Sequence, residues 1–208
     1  NQLPQNVTLV AVSKTKPVSD LQEAYLTGQR IFGENKIQEM TDKWEQLPKD
    51  IEWHMIGHVQ TNKVKYMAPY VHLIHGVDSL KLLIEINKQA VKNNRIINCL
   101  LQVYIAKEET KFGLNEAEVL EIIHSEELKT LNNIKVIGLM GMASFSDKEE
   151  VIKNEFITLK NIFDYVQPYK LNNCSFETLS MGMSGDYKLA ISCGSNMVRI
   201  GSSIFGTR

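Results

Sequence analysis

The sequence predicts an α/β protein, a single (β/α)8 TIM barrel, and three observations carry the prediction. Short β-branched runs alternate with longer amphipathic stretches, the pattern of strands and helices in a parallel sheet. Eight such runs are present, and 208 residues match the lower size limit of an eight-stranded barrel. That length leaves no room for a second domain, so residues 1–208 are expected to form one. The competing architecture is an open doubly wound sheet, which uses the same alternation.

The expected strands are 8–12, 29–33, 52–57, 71–77, 98–105, 134–140, 175–180 and 197–200. The first, Thr8-Leu-Val-Ala-Val12, is continuously apolar, as suits a parallel strand covered on both faces. Helices are expected at 19–27, 35–45, 60–67, 79–93, 115–127, 148–166 and 186–193. Several open on Ser, Asp or Asn, whose side chains cap the free N–H groups of a first turn. In the fourth helix Leu80, Leu83, Ile84 and Asn87 mark one face, with lysines outside.

Twenty-three Lys plus Arg stand against 24 Asp plus Glu, a net charge of -1. No overall positive field is available to hold nucleic acid or an anionic membrane, so neither is expected as a partner. A phosphate ligand has to be met locally. No apolar run approaches the roughly 18 residues of a membrane helix, and residues 1–6 lack the basic and apolar regions of a signal peptide. Cys99, Cys174 and Cys193 are odd in number and have no CxxC spacing, so neither a disulfide framework nor a zinc site is expected. A reducing cytoplasm is the expected location. His72 and His75 fall in an expected strand, where a spacing of three points them to opposite faces and argues against a shared metal.

In a barrel of this kind, chemistry gathers at the C-terminal ends of the strands. The first such end is Ser13-Lys14-Thr15-Lys16-Pro17. Alternation places Val10, Val12 and Lys14 on one face, which puts an ammonium at the mouth of the core, where it either reaches water or, partly desolvated, forms a Schiff base. Lys16 faces the same side and is the rival nucleophile. At Phe32-Gly33-Glu34-Asn35, Gly33 permits a tight turn, and Asn35 either caps the next helix or turns inward to a ligand. Ser180-Met-Gly-Met-Ser-Gly-Asp186 offers hydroxyls and backbone N–H groups to a phosphate, although Gly and Ser also make ordinary turns. Arg199 sits inside an apolar strand and needs a buried partner, with an ion pair to a core carboxylate as the plain reading. Gly201-Ser202-Ser203 repeats the phosphate-cradle chemistry after the last strand, where barrels commonly bind phosphate.

Together, Ala11-Val-Ser-Lys14-Thr-Lys-Pro17, Phe32-Gly-Glu-Asn35, Trp53-His-Met-Ile-Gly-His-Val-Gln-Thr-Asn-Lys63, Lys111-Phe-Gly113, Gly138-Leu-Met140, Leu179-Ser-Met-Gly-Met-Ser184, Val198-Arg-Ile-Gly-Ser202 and Ile204-Phe-Gly206 resemble the YggS/PROSC family. These are pyridoxal phosphate homeostasis proteins, with a fold like the N-terminal barrel of alanine racemase. The resemblance implies pyridoxal 5'-phosphate as cofactor, held as a Schiff base on Lys14, with Arg199 facing the pyridine nitrogen. It further implies that Ser180, Gly201 and Ser202 take the phosphate and that Asn35 lines the cofactor. Lys16 matches the second, unmodified lysine of its motif, and His58 with the segment to Lys63 matches a motif close to the site. Ser202 departs from the Thr of many members but keeps the hydroxyl. Two further departures are the loop at 143–147 and the short segment before the first strand, where family members usually carry an additional helix.

An arginine at the pyridine nitrogen disfavours its protonation and leaves the ring a weak electron sink. Racemases of similar fold use a second base from a separate C-terminal domain and partner subunit, and the chain to Arg208 holds no such domain. The expectation is therefore a monomeric cofactor buffer or carrier without evident catalysis, with apo pyridoxal phosphate enzymes as recipients. Two alternatives are a low-activity amino-acid racemase with Lys14 and His58 as its bases, and a scaffold for a protein partner in which the cofactor is incidental.

Overall fold

The computed structural model describes residues 3–106 and 112–206. Lys111 of the family-like motifs and the terminal Arg208 lie outside the described residues. The strands are β1 (Thr8–Val12), β2 (Ile31–Glu34), β3 (Glu52–Met55), β4 (Leu73–Val77), β5 (Ile97–Val103), β6 (Ile134–Gly141), β7 (Lys170–Leu171), β8 (Cys174–Met183) and β9 (Met197–Ile200). The helices are α1 (Val18–Leu26), α2 (Ile37–Gln46), α3 (Val64–Met67), α4 (Leu80–Lys92), α5 (Glu116–His124), α6 (Glu126–Thr130), α7 (Glu149–Val166), α8 (Tyr187–Ser192) and α9 (Ser202–Phe205).

Strands β1 to β6, β8 and β9 run parallel in chain order, and β6 pairs with β8 through Val136↔Cys174, Gly138↔Thr178, Leu139↔Leu179 and Met140↔Ser180. That last pairing closes the barrel and excludes the open sheet. β7 only adds an antiparallel flap to β8. Val10, Leu73, Leu100, Met140 and Met197, each from a different strand, meet in the barrel interior. Their neighbours in sequence point outward to the helices, where Phe32, Trp53, Met40, Leu83, Ile86 and Phe156 form the larger core. Each such burial is worth about 1.5–3 kcal/mol of transfer free energy.

Side-chain caps set the starts of α4, α5 and α6. The Ser79 hydroxyl accepts from Leu82 N–H and starts α4, and Asn115 with Glu118 makes a reciprocal capping box at α5. The single helix expected at 115–127 is two, because Ser125 turns to an extended conformation and its hydroxyl accepts from Leu128 N–H to start α6. The helix expected at 60–67 begins as a 3-10 turn over Thr61–Lys63. In α4 the buried face is Leu82, Leu83, Ile86 and Ala90, whereas Ile84 is 43% exposed, so the expected phase was about one residue off. Gly33 is no turn residue. It lies within β2, where a Cβ would stand 2.8 Å from Val10 Cγ1, and its bareness lets the two strands pack.

Candidate functional site

A cavity of about 490 Å³ opens at the C-terminal ends of the strands. Lys14, Lys16, Asn35, His58, Arg199, Gly201 and Ser202 line it, from strand ends far apart in the sequence. Val12 also lines it, while Val10 packs in the interior below, as the alternation from Val10 to Lys14 requires. Of the expected residues, only Ser180 is off the wall. Its side chain is fully buried beneath the cavity, and Ser184 and Gly185 of the same loop line the wall in its place. The Ser184 hydroxyl accepts from Gly201 N–H at 3.1 Å, which joins the two Gly/Ser loops as neighbours.

The turn that carries Lys14 is clamped from below. Lys43, on the buried face of α2, donates to the Ser13 carbonyl at 2.7 Å, to Glu34 Oε1 at 2.7 Å and to Glu39 Oε1 at 2.8 Å. Ser13 Oγ donates to Glu34 at 2.7 Å, and Thr15 N–H donates to Glu39 at 2.6 Å. Thr15 adopts a φ of 66°, a left-handed conformation that this network holds in place. Burial pushes the Glu34 carboxyl above its usual range, with Lys43 and Ser13 opposing. Lys16 Nζ donates to the Phe205 carbonyl at 2.8 Å, tying the turn to α9. Asn35 is not a helix cap: Lys36 occupies that position, and the Asn35 amide makes no hydrogen bond to a described residue. An unpartnered amide on a cavity wall is suited to a ligand oxygen or nitrogen.

Arg199 shows no carboxylate partner among the described residues, contrary to the ion-pair reading. Its Nη1 donates to Ser180 Oγ at 2.7 Å and to the Ser180 carbonyl at 3.0 Å, and Nη2 donates to the Gly141 carbonyl at 3.0 Å. Burial lowers the guanidinium to about 10, opposed by Asp186, so it remains charged at neutral pH. Beneath it, His75 Nδ1 is 3.1 Å from Ser180 Oγ, and His54 Nδ1 is 3.0 Å from His75 Nε2. Burial holds both rings neutral, His54 at about 3 and His75 well below the ordinary histidine value. The sequence reading missed Lys43, His54 and His75. A usable signal existed for each, since Lys43 continues the Ile37 and Met40 stripe, His54 lies between Trp53 and Met55 in an expected strand, and His75 shares a strand face with Leu73 two residues before it.

A described wall of two lysines, a buried arginine and two neighbouring Gly/Ser loops has counterparts in known proteins. The family model for the N-terminal domain of alanine racemase matches residues 1–208. The chain belongs to that family. It is 40% identical over 201 residues to the pyridoxal phosphate homeostasis protein of Aquifex aeolicus, covering 96% of this chain and 86% of that protein. It is 43% identical over 203 residues to the protein of that description from Helicobacter pylori, covering 96% and 87%. Among solved structures it resembles PipY of Synechococcus elongatus with PLP bound, at TM-score 0.88 and 33% identity, over 99% of this chain and 95% of PipY. Alanine racemase of Clostridium difficile shares the fold, with TM-score 0.77 at 16% identity over 99% of this chain and 56% of the racemase.

Proposed function

We propose that the chain binds pyridoxal 5'-phosphate as a Schiff base on Lys14 and serves in vitamin B6 homeostasis, buffering or delivering the cofactor without evident catalysis. The observation that carries the reading is the joint placement of Lys14, Arg199, Gly201 and Ser202 on the wall of one cavity. The residues fit the group: an amine for its aldehyde, two Gly/Ser loops for its phosphate, a buried cation for its ring nitrogen and the unpartnered Asn35 amide for a further polar atom. A volume of about 490 Å³ falls within the range of small-molecule sites. The names and bound ligand of the relatives support the same assignment.

When bound, the group supplies a reactive aldehyde and an electron-accepting ring. The protein's part is to bind and orient. Lys43 fixes the turn under Lys14, Lys16 closes that turn onto α9, and Ser180 and the Gly141 carbonyl aim Arg199. Arg199, if it faces the ring nitrogen of the bound group, would disfavour protonation there and so weaken the electron sink that transamination or racemisation would use. His58, stacked on Phe112 at 4.0 Å between ring centres and 3.3 Å from Asp78, lines the cavity. The same reading has the chain act as one domain and as a monomer in the cytoplasm, with apo pyridoxal phosphate enzymes as recipients.

The test is a titration with pyridoxal 5'-phosphate followed by absorbance. A visible band that forms in the wild type and in Lys16→Ala but not in Lys14→Ala supports the assignment. A band that survives Lys14→Ala and disappears in Lys16→Ala overturns it. Faster reactivation of an apo pyridoxal phosphate enzyme by the loaded protein than by buffer supports delivery.

A further inference from the structure

At the opposite end of the barrel, Glu52 opens β3 and His72 immediately precedes β4, and both side chains are about half exposed. His72 Nε2 is 3.4 Å from Glu52 Oε2. His54, only 2% exposed, rises from the same mouth into the interior, and its ring lies parallel to that of His72 with centroids 5.7 Å apart. One potential ligand atom from each of Glu52, His54 and His72 falls within 4.8 Å of the others. His54 Nδ1 is engaged with His75, so Nε2 is the nitrogen left for a metal, and it has no hydrogen-bond partner among the described residues. The spacing that separates His72 from His75 thus delivers His72 to a different pair.

We infer that Glu52, His54 and His72 form a binding site for a divalent first-row transition metal, of the Zn²⁺ class, at the N-terminal mouth of the barrel. Two imidazoles and one carboxylate, with outward positions left to water, match the donor set these ions take. Donors about 2.0–2.2 Å from zinc stand roughly 3.0–3.6 Å apart, so a group spread over up to 4.8 Å has to contract by about 1–2 Å. Glu52 and His72, at the surface, supply that movement by side-chain rotation. His54 is already fixed, because its other ring nitrogen is hydrogen-bonded to His75, the arrangement by which outer residues orient a ligating histidine.

The arrangement also sets the direction of the hydrogen bonds behind it. A metal on His54 Nε2 leaves the ring proton on Nδ1, which donates to His75 Nε2. His75 then carries its proton on Nδ1 and donates to Ser180 Oγ, which also accepts from Arg199. Metal at one mouth would thereby select one of the two tautomeric orders of a chain that ends at the wall of the other.

The experiment titrates tag-free protein with Co²⁺ alone and follows its visible d–d absorption. A band that saturates at one Co²⁺ per chain, with affinity lowered at least tenfold in both His72→Ala and Glu52→Ala, supports the site. These surface variants avoid the buried His54, whose loss endangers folding. No saturable band, or unchanged affinity in either variant, overturns it. With Zn²⁺, a histidine ¹⁵N spectrum should place the His54 proton on Nδ1, and a proton on Nε2 overturns the ligand assignment.

Discussion

Arg199 Nη1 donates to Ser180 Oγ across 2.7 Å, inside a barrel where neither residue is more than 3% exposed. The buried cation is thus aimed by neutral oxygens and leaves its charge for whatever occupies the cavity above. Ser180→Ala removes an acceptor from Arg199 and the partner of His75 Nδ1, while two carbonyls still hold the guanidinium. The expected loss is about 1–3 kcal/mol of stability, read by urea unfolding, with weaker pyridoxal 5'-phosphate binding. Unchanged stability and affinity would contradict this placement.

The Lys43 cluster gives an unequal pair of mutants. Lys43→Met leaves Glu34 without its buried cation and releases the Ser13 carbonyl, at an expected cost of about 3–5 kcal/mol. Glu34→Gln should cost less, because Lys43 keeps the Glu39 carboxylate and the Ser13 carbonyl as partners and no buried charge is left alone. Denaturant midpoints compare the two directly, and equal losses would refute the argument.

Gly57 shapes the wall beside Asn35. A Cβ there would stand 2.4 Å from the Asn35 carbonyl oxygen, so Gly57→Ala must push that backbone aside. Gly57→Ala is expected to weaken pyridoxal 5'-phosphate binding at least tenfold. Fluorescence titration of the variant is the check, and an unchanged affinity would contradict this packing.

Much of this architecture was legible because parallel strands write themselves as apolar runs. The bounds 8–12 and 197–200 coincide with β1 and β9, and the alternation from Val10 through Val12 to Lys14 placed an amine at the mouth. The two-residue β7 is too short to carry a period, and the break at Ser125 depends on one side chain choosing a backbone N–H. Ser180 was the least legible of the expected site residues. It looked like loop chemistry, but β8 runs on to Met183 and carries it inside. Lys43, His54 and His75 were passed over because polar residues at core positions gain meaning only from partners distant in sequence.

The thiols give a further check. Burial pushes Cys174 up to about 12 and Cys99 higher still, and Cys193 is partly exposed. At neutral pH a thiolate reagent should therefore modify Cys193 alone in the native protein and all three cysteines in denaturant. Rapid native labelling of Cys99 or Cys174 would show that the packing around β5 or β8 is wrong.

The central claim is the covalent anchor, and borohydride reduction of the protein loaded with pyridoxal 5'-phosphate, followed by peptide mapping, tests it most directly. The account predicts one reduced adduct, on Lys14, and no conversion of added L-alanine to its mirror form. An adduct confined to Lys16, or none at all, would contradict it and leave the barrel without its assigned cofactor site.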